Sequence, residues 1–158
     1  MDASFQVADW LTLGGSYAYT DARYTDPVGS AVGQTFVFGP HADAPEHQGS
    51  LFAQTNSDLG SLGQLNVRAQ VYSQSEFFYS NNNDTTLPGT EIEGYTLAKL
   101  RVDLDQACGT ELMLVLFVNN PNDEEYYTGG LPLGQVSGSN AAIPAAPRMW
   151  GLELRYNF

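Results

Sequence analysis

Apolar and polar residues alternate repeatedly along this chain, in separate stretches. The last is the clearest: in Arg148–Phe158, the residues Trp150, Leu152, Leu154, Tyr156 and Phe158 are separated by Gly151, Glu153, Arg155 and Asn157. Successive side chains of a strand point to opposite faces of its sheet, so a period of two predicts a strand with one apolar face. The same pattern predicts strands over Ala3–Val7, Leu11–Tyr24, His47–Asn56, Gln64–Phe78, Tyr95–Leu104 and Glu111–Asn119. The 3.6-residue period of an amphipathic helix is not found. Leu65, Val67, Ala69 and Val71 make one apolar face, and Ala98, Leu100, Val102 and Leu104 make another. Arg68, Lys99 and Arg101 then share the polar face. Glu111–Asn119 is apolar on both sides, as in a strand covered on both faces.

The connectors add order to this pattern. Ala8-Asp9, Ser57–Gly63 and Asp105–Gly109 are short, whereas Thr25–Glu46, Tyr79–Gly94 and Asn120–Pro147 are long and rich in Gly, Pro, Asn and Asp. Short and long alternate without exception. Consecutive antiparallel strands place successive connectors at opposite ends of a sheet, so all short turns fall at one end and all long loops at the other. Greek-key sandwiches mix their connector lengths, whereas outer-membrane barrels segregate them, with tight turns on the periplasmic side. The expected fold is therefore all-β: an antiparallel up-and-down meander of about seven strands of the transmembrane β-barrel kind, which the resemblance given below makes part of a larger barrel. Its polar face would line the lumen, and its carboxyl terminus would be periplasmic. Aromatic residues near strand ends, among them Trp10, Tyr17, Tyr19, Phe77, Phe78, Tyr95 and Trp150, suit the two membrane interfaces.

Composition narrows the function. The chain has 158 residues and a formal net charge of -12, with Lys99 its single lysine. Nucleic-acid binding needs clustered cations and is excluded as a class. No apolar run of about 18 residues is present, so no transmembrane helix is expected. The opening MDASFQVADW has no secretory pattern, so the sequence reads as cytosolic or as a piece of something exported. Cys108 is the single cysteine and reads as a turn-flanking residue. His41 and His47, with Asp43 and Glu46, offer metal donors at irregular, proline-broken spacing, for which polar loop residues are the simpler reading. Ser80–Asp84 lacks the glycine of a calcium loop. Asp123–Glu125 is a carboxylate cluster without a partner group for acid–base chemistry. No phosphate cradle or nucleophile arrangement is found, so no catalytic residue, metal or cofactor is expected.

Four stretches, in order and spanning most of the chain, carry a resemblance: ADWLTLGGSYAYTDARYTD (Ala8–Asp26), GYTLAKLRVDL (Gly94–Leu104), LFVNNPNDEEYY (Leu116–Tyr127) and PRMWGLELRYNF (Pro147–Phe158). The chain resembles the carboxyl-terminal part of the β-barrel of TonB-dependent outer-membrane receptors. Pro121-Asn122 stand where that family usually has an apolar pair. The resemblance implies a barrel of twenty-two strands with an internal plug, of which residues 1–158 would be a fragment without plug or amino-terminal strands. It also implies energy-coupled uptake of a scarce nutrient, an iron-siderophore, corrinoid or saccharide. The implied partners are outer-membrane lipid, the TonB complex acting through the missing plug, the nutrient, and the barrel-assembly machinery. That machinery would read Trp150, Leu152, Leu154, Tyr156 and Phe158. Loop residues His41, His47, Tyr79, Asn81, Tyr126 and Tyr127 are the candidates for ligand contact, because loops on a rigid scaffold commonly carry recognition. The alternatives are a small self-contained outer-membrane barrel or adhesin, and a soluble β-sandwich binding module.

Overall fold

A computed structural model describes residues 1–31, 33–80 and 89–156. Among these described residues thirteen strands occur in chain order: β1 Asp2–Ala8, β2 Leu11–Tyr19, β3 Val28–Ala31, β4 Gln34–Val37, β5 His47–Asp58, β6 Gln64–Gln74, β7 Phe77–Phe78, β8 Glu91–Ile92, β9 Tyr95–Asp105, β10 Leu112–Asn119, β11 Tyr127–Leu131, β12 Ala141–Pro144 and β13 Met149–Tyr156. The seven long strands form one antiparallel sheet in the order β1-β2-β5-β6-β9-β10-β13, which is their order along the chain. This is the up-and-down meander expected from the alternation. It is one layer, not the two facing sheets of a sandwich.

The long connectors are more regular than their Gly- and Pro-rich composition suggests. Each carries a two-stranded ladder of its own: β3 with β4, β7 with β8, and β11 with β12. A single helical turn, α1 Gly134–Ser137, sits between β11 and β12. The short connectors are tight. Gly63 has φ +111, and a Cβ there would stand 2.2 Å from the Asp105 carbonyl oxygen. Glycine is required because the turn after β5 and the turn after β9 are pressed together.

Two strands stop earlier than the alternation predicts. β2 ends at Tyr19 rather than Tyr24, because Asp21 and Arg23 pair with each other and the Tyr24 ring stacks on Phe38, 4.8 Å between centroids. β6 ends at Gln74 rather than Phe78, because Phe77 and Phe78 leave the main sheet to pair with Ile92 and Glu91.

One face of the sheet is apolar from edge to edge. A single register row crosses it through Phe5, Leu13, Ala53, Ala69, Leu100, Val118 and Trp150. The apolar stretch does not run perpendicular to the strands. On β13 it covers Trp150 to Tyr156, on β2 it covers Leu11 to Tyr19, and Leu152 is level with Leu11 through Leu116, Val102, Val67 and Thr55. The middle of the stretch is thus displaced by about five residues, roughly 17 Å, over five strand steps that span roughly 24 Å. A level apolar belt then requires strands tilted by roughly 35°, within the range of membrane barrels.

The apolar face is not packed against protein. Leu51, Leu116, Trp150, Leu152 and Leu154 are 55–80 % exposed. Among the described residues, the buried apolar side chains are Phe77, Tyr79, Ile92, Ala107 and Val115. On the other face, the Phe52 ring lies over Gly14 and the Phe117 ring over Gly151, each where a Cβ would otherwise stand. An aromatic covering a cross-strand glycine restores packing that the glycine lacks. The double-sided apolar character of β10 has this cause on its inner side: Phe117 is folded down and Val115 is fully buried. Its outer side is open.

Candidate functional site: the mouth beneath the long loops

The three long connectors meet at one end of the sheet. The amide of Asp43 in the first donates to the carbonyl of Phe78 in the second at 2.7 Å. Tyr79 packs its ring on Gly130 of β11 in the third, where a Cβ would be 2.6 Å away. Its hydroxyl donates to the Gly89 carbonyl at 2.6 Å. Burial pushes the Tyr79 phenol above its ordinary value, so the hydroxyl stays a donor. Phe77, Tyr79 and Ile92 form the one buried apolar cluster of the described residues, and it holds the loops together. Tyr79, a candidate for ligand contact, is thus built into the loop framework.

Below this cluster, inner-face side chains at the ends of β5, β6 and β9 converge. The Tyr72 hydroxyl donates to Gln74 Oε1 at 2.9 Å and lies 3.2 Å from Gln48 Oε1. Tyr72 and Tyr95 have ring centroids 6.4 Å apart, and Tyr95 and Tyr126 are at 4.5 Å. A cavity of about 480 Å³ opens here, lined by Asp43, Gln48, Gln74, Phe77, Tyr95 and Ile143 among others. Phenols and carboxamides of this kind stack on flat groups and exchange hydrogen bonds in either sense. A larger groove of about 700 Å³ runs along β1 and β2, with Phe5, Leu13, Leu51 and Val71 in its lining. It is almost wholly apolar and belongs to the outward face, not to the mouth.

The structure distributes the remaining sequence candidates unevenly. Tyr126 joins the mouth. Tyr127 is exposed on β11. His41 stacks on Tyr24, 5.5 Å between centroids, in the first loop. His47 lies on the outward face, its Nδ1 2.7 Å from the Tyr17 hydroxyl and its ring 5.3 Å from that of Tyr19. It stands apart from the inner mouth. Among the described residues, no group of three or more His, Cys, Asp or Glu is placed to hold a metal. Asn81 and Phe158 lie outside the described residues. Trp150, Leu152, Leu154 and Tyr156 occupy the outward side of β13 and face no other protein layer. Tyr72, Tyr95, Gln48 and Gln74 escaped the sequence reading because they sit within strands. Their signal was available: aromatic and amide residues recur at inner-face positions near the long-loop ends.

Asn120 organises the start of the third connector. Its side chain accepts from the Glu124 amide and donates to the Glu124 carbonyl, both at 2.9 Å. Asp123 then caps the Arg148 amide at 3.0 Å, which joins the two ends of that connector. The Asp123 carboxylate therefore serves a turn.

This sheet, with segregated connectors and an unpacked apolar face, is the architecture of a barrel wall. Solved structures share it, two receptors among them. The chain superimposes on the ferric yersiniabactin uptake receptor FyuA of Yersinia pestis with a TM-score of 0.70 and 15% identity, over 99% of this chain and 22% of that one. It superimposes on the siderophore receptor PiuA of Acinetobacter baumannii with a TM-score of 0.69 and 15% identity, over 97% of this chain and 20% of that one. The chain thus spans about a fifth of either receptor's length. No family model and no curated protein sequence matches it. At this identity the likeness is one of fold.

Proposed function

We propose that this chain forms a sector of the wall, and three loops of the mouth, of an energy-coupled uptake receptor in the outer membrane of a Gram-negative cell. The observation that carries the reading is the outward apolar band, which drifts across the strand register as a tilted, lipid-facing wall requires. β1 and β13 each have one strand neighbour among the described residues. In this reading, further strands of the same barrel pair with both edges. Tyr72, Tyr95, Tyr126, Gln48 and Gln74 would contact the nutrient, an iron-siderophore, corrinoid or saccharide. Uptake would depend on a plug coupled to the TonB complex. The outward residues of β13 would be read by the barrel-assembly machinery, with the short turns periplasmic. Two siderophore receptors of like fold support the class, and the phenol–amide mouth supports a ligand rich in hydrogen-bonding groups.

The exposed Cys108, at the short-turn end, gives a direct test. In intact cells a membrane-impermeant maleimide should leave Cys108 unlabelled until the outer membrane is opened. In a Cys108→Ser background, Ser139→Cys in the third loop should label from outside. Immediate labelling of Cys108 in sealed cells, or recovery of the chain as a soluble protein, would refute the proposal.

A further inference from the structure

The mouth beneath the long loops is free of positive charge. Among the described residues that line its cavity, Asp43 is the one charged side chain. The three long connectors, residues 20–46, 75–94 and 120–148, carry eleven carboxylates (four, four and three) against two arginines. Both arginines are engaged within their own loop, Arg23 with Asp21 and Arg148 with Asp123. On the inner face, cations begin at Lys99, four residues below Tyr95 on β9 and roughly 13 Å deeper. An anionic ligand would cross a repulsive field and give up water, with no cation to receive it at the level of the phenols.

The unused hydrogen-bonding capacity of the mouth is largely accepting. The single Tyr72 hydroxyl proton faces two carboxamide oxygens, Gln74 Oε1 at 2.9 Å and Gln48 Oε1 at 3.2 Å. The Asp43 carboxylate adds two more acceptor oxygens and has no hydrogen-bond partner among the described residues. The Tyr95 and Tyr126 hydroxyls are likewise unpaired there, and can donate or accept. Their rings, tilted by 44° to each other, offer faces on which a flat C–H surface can lie. A ferric hydroxamate presents chiefly acceptor oxygens and would set acceptor against acceptor. A pyranose presents hydroxyl donors around its edge and C–H groups on its face, without charge. We propose that the mouth takes an uncharged oligosaccharide, whose hydroxyls donate to Gln48, Gln74 and Asp43 while a sugar ring lies on Tyr95 or Tyr126. The inference rests on the proposed function, in which these groups contact the nutrient, and names the nutrient's class.

The test uses the whole chain in lauryldimethylamine-oxide micelles and saturation-transfer NMR with maltohexaose, cellohexaose, xylohexaose and mannohexaose. At least one should receive saturable transfer, strongest at its ring C–H protons. Trigalacturonate should receive none at equal concentration. Nor should the gallium(III) complexes of citrate and of desferriferrichrome, diamagnetic counterparts of an anionic and an uncharged ferric siderophore. Tyr95→Ala should weaken sugar binding about tenfold, and Tyr95→Phe, which keeps the ring, about threefold. Trp10→Ala, at the opposite end of the sheet, should leave it unchanged, and circular dichroism checks that each variant keeps its strands. Absent transfer to all four sugars, equal affinity for trigalacturonate, transfer to either gallium complex as strong as to a sugar, or full affinity in Tyr95→Ala would each overturn the assignment. Failure of the barrel reading would appear separately, in the labelling of Cys108.

Discussion

Replacing Leu116 by arginine separates a lipid-facing wall from a water-facing one. Leu116 lies in the middle of the outward side of β10, between Leu152 and Val102 in register, and is 55 % exposed. Arginine on a lipid face at mid-depth costs about 2–4 kcal/mol, falling to about 0–1 near the interfaces. Leu112 lies on the same side of the same strand at its short-turn end, opposite Tyr156, and is less exposed than Leu116. In water, the more buried leucine is the more sensitive one, and a half-exposed site shifts stability by about 0.5 kcal/mol or less. The two readings therefore predict opposite orders. In lipid, Leu116→Arg should exceed Leu112→Arg by about 2 kcal/mol, roughly thirtyfold in the folding equilibrium. Urea titrations of the chain inserted in phosphatidylcholine vesicles, followed by tryptophan fluorescence, measure both. Leu112→Arg as the costlier change would refute the lipid-facing assignment.

Two further outcomes follow from close approaches in the turns. Gly63→Ala combines a strained φ with a Cβ 2.2 Å from the Asp105 carbonyl, so it should lower stability by about 2–4 kcal/mol in the same titration. Asn120→Ala removes both hydrogen bonds to Glu124 and should cost about 1–3 kcal/mol; hydrogen exchange at the Glu124 amide should accelerate while that at Leu116 stays slow.

The seven long strands were legible because each half-buried strand writes its own period of two, and the parity of the connectors ordered them without reference to distant contacts. The ladders inside the loops were not legible. Val28–Ala31 and Gln34–Val37 are four residues each, too short to show a period. The ends of β2 and β6 depend on where Tyr24 and Phe77 find partners far along the chain, at Phe38 and Ile92. The mouth was half legible. Tyr126 was chosen as a loop aromatic, but Tyr72 and Tyr95 carry the same chemistry from positions that look like wall. His47 was chosen for its imidazole, yet its place opposite Tyr19 puts it on the outward face. A side chain's type could be read from sequence, whereas its face had to be counted from the register.

Burial explains why these facts belong together. A water-soluble domain of this length draws most of its stability from apolar side chains sealed inside it. Among the described residues the sealed apolar side chains are few, and three of the five hold the loops rather than the sheet. The leucines and valines that should provide a core lie on a continuous surface far larger than isolated exposed side chains would make. Backbone hydrogen bonds across seven strands cannot offset that exposure in water, since each contributes little net stability there. In hydrocarbon both terms change sign of importance: the apolar surface is at home, and an unpaired backbone group becomes costly, which favours a continuous ladder. The inner face differs, because the rings of Phe52 and Phe117 cover Gly14 and Gly151 and pack that side with the wall's own residues. The outward side of the sheet is thus incomplete in water, with its leucines on a surface that no protein layer covers.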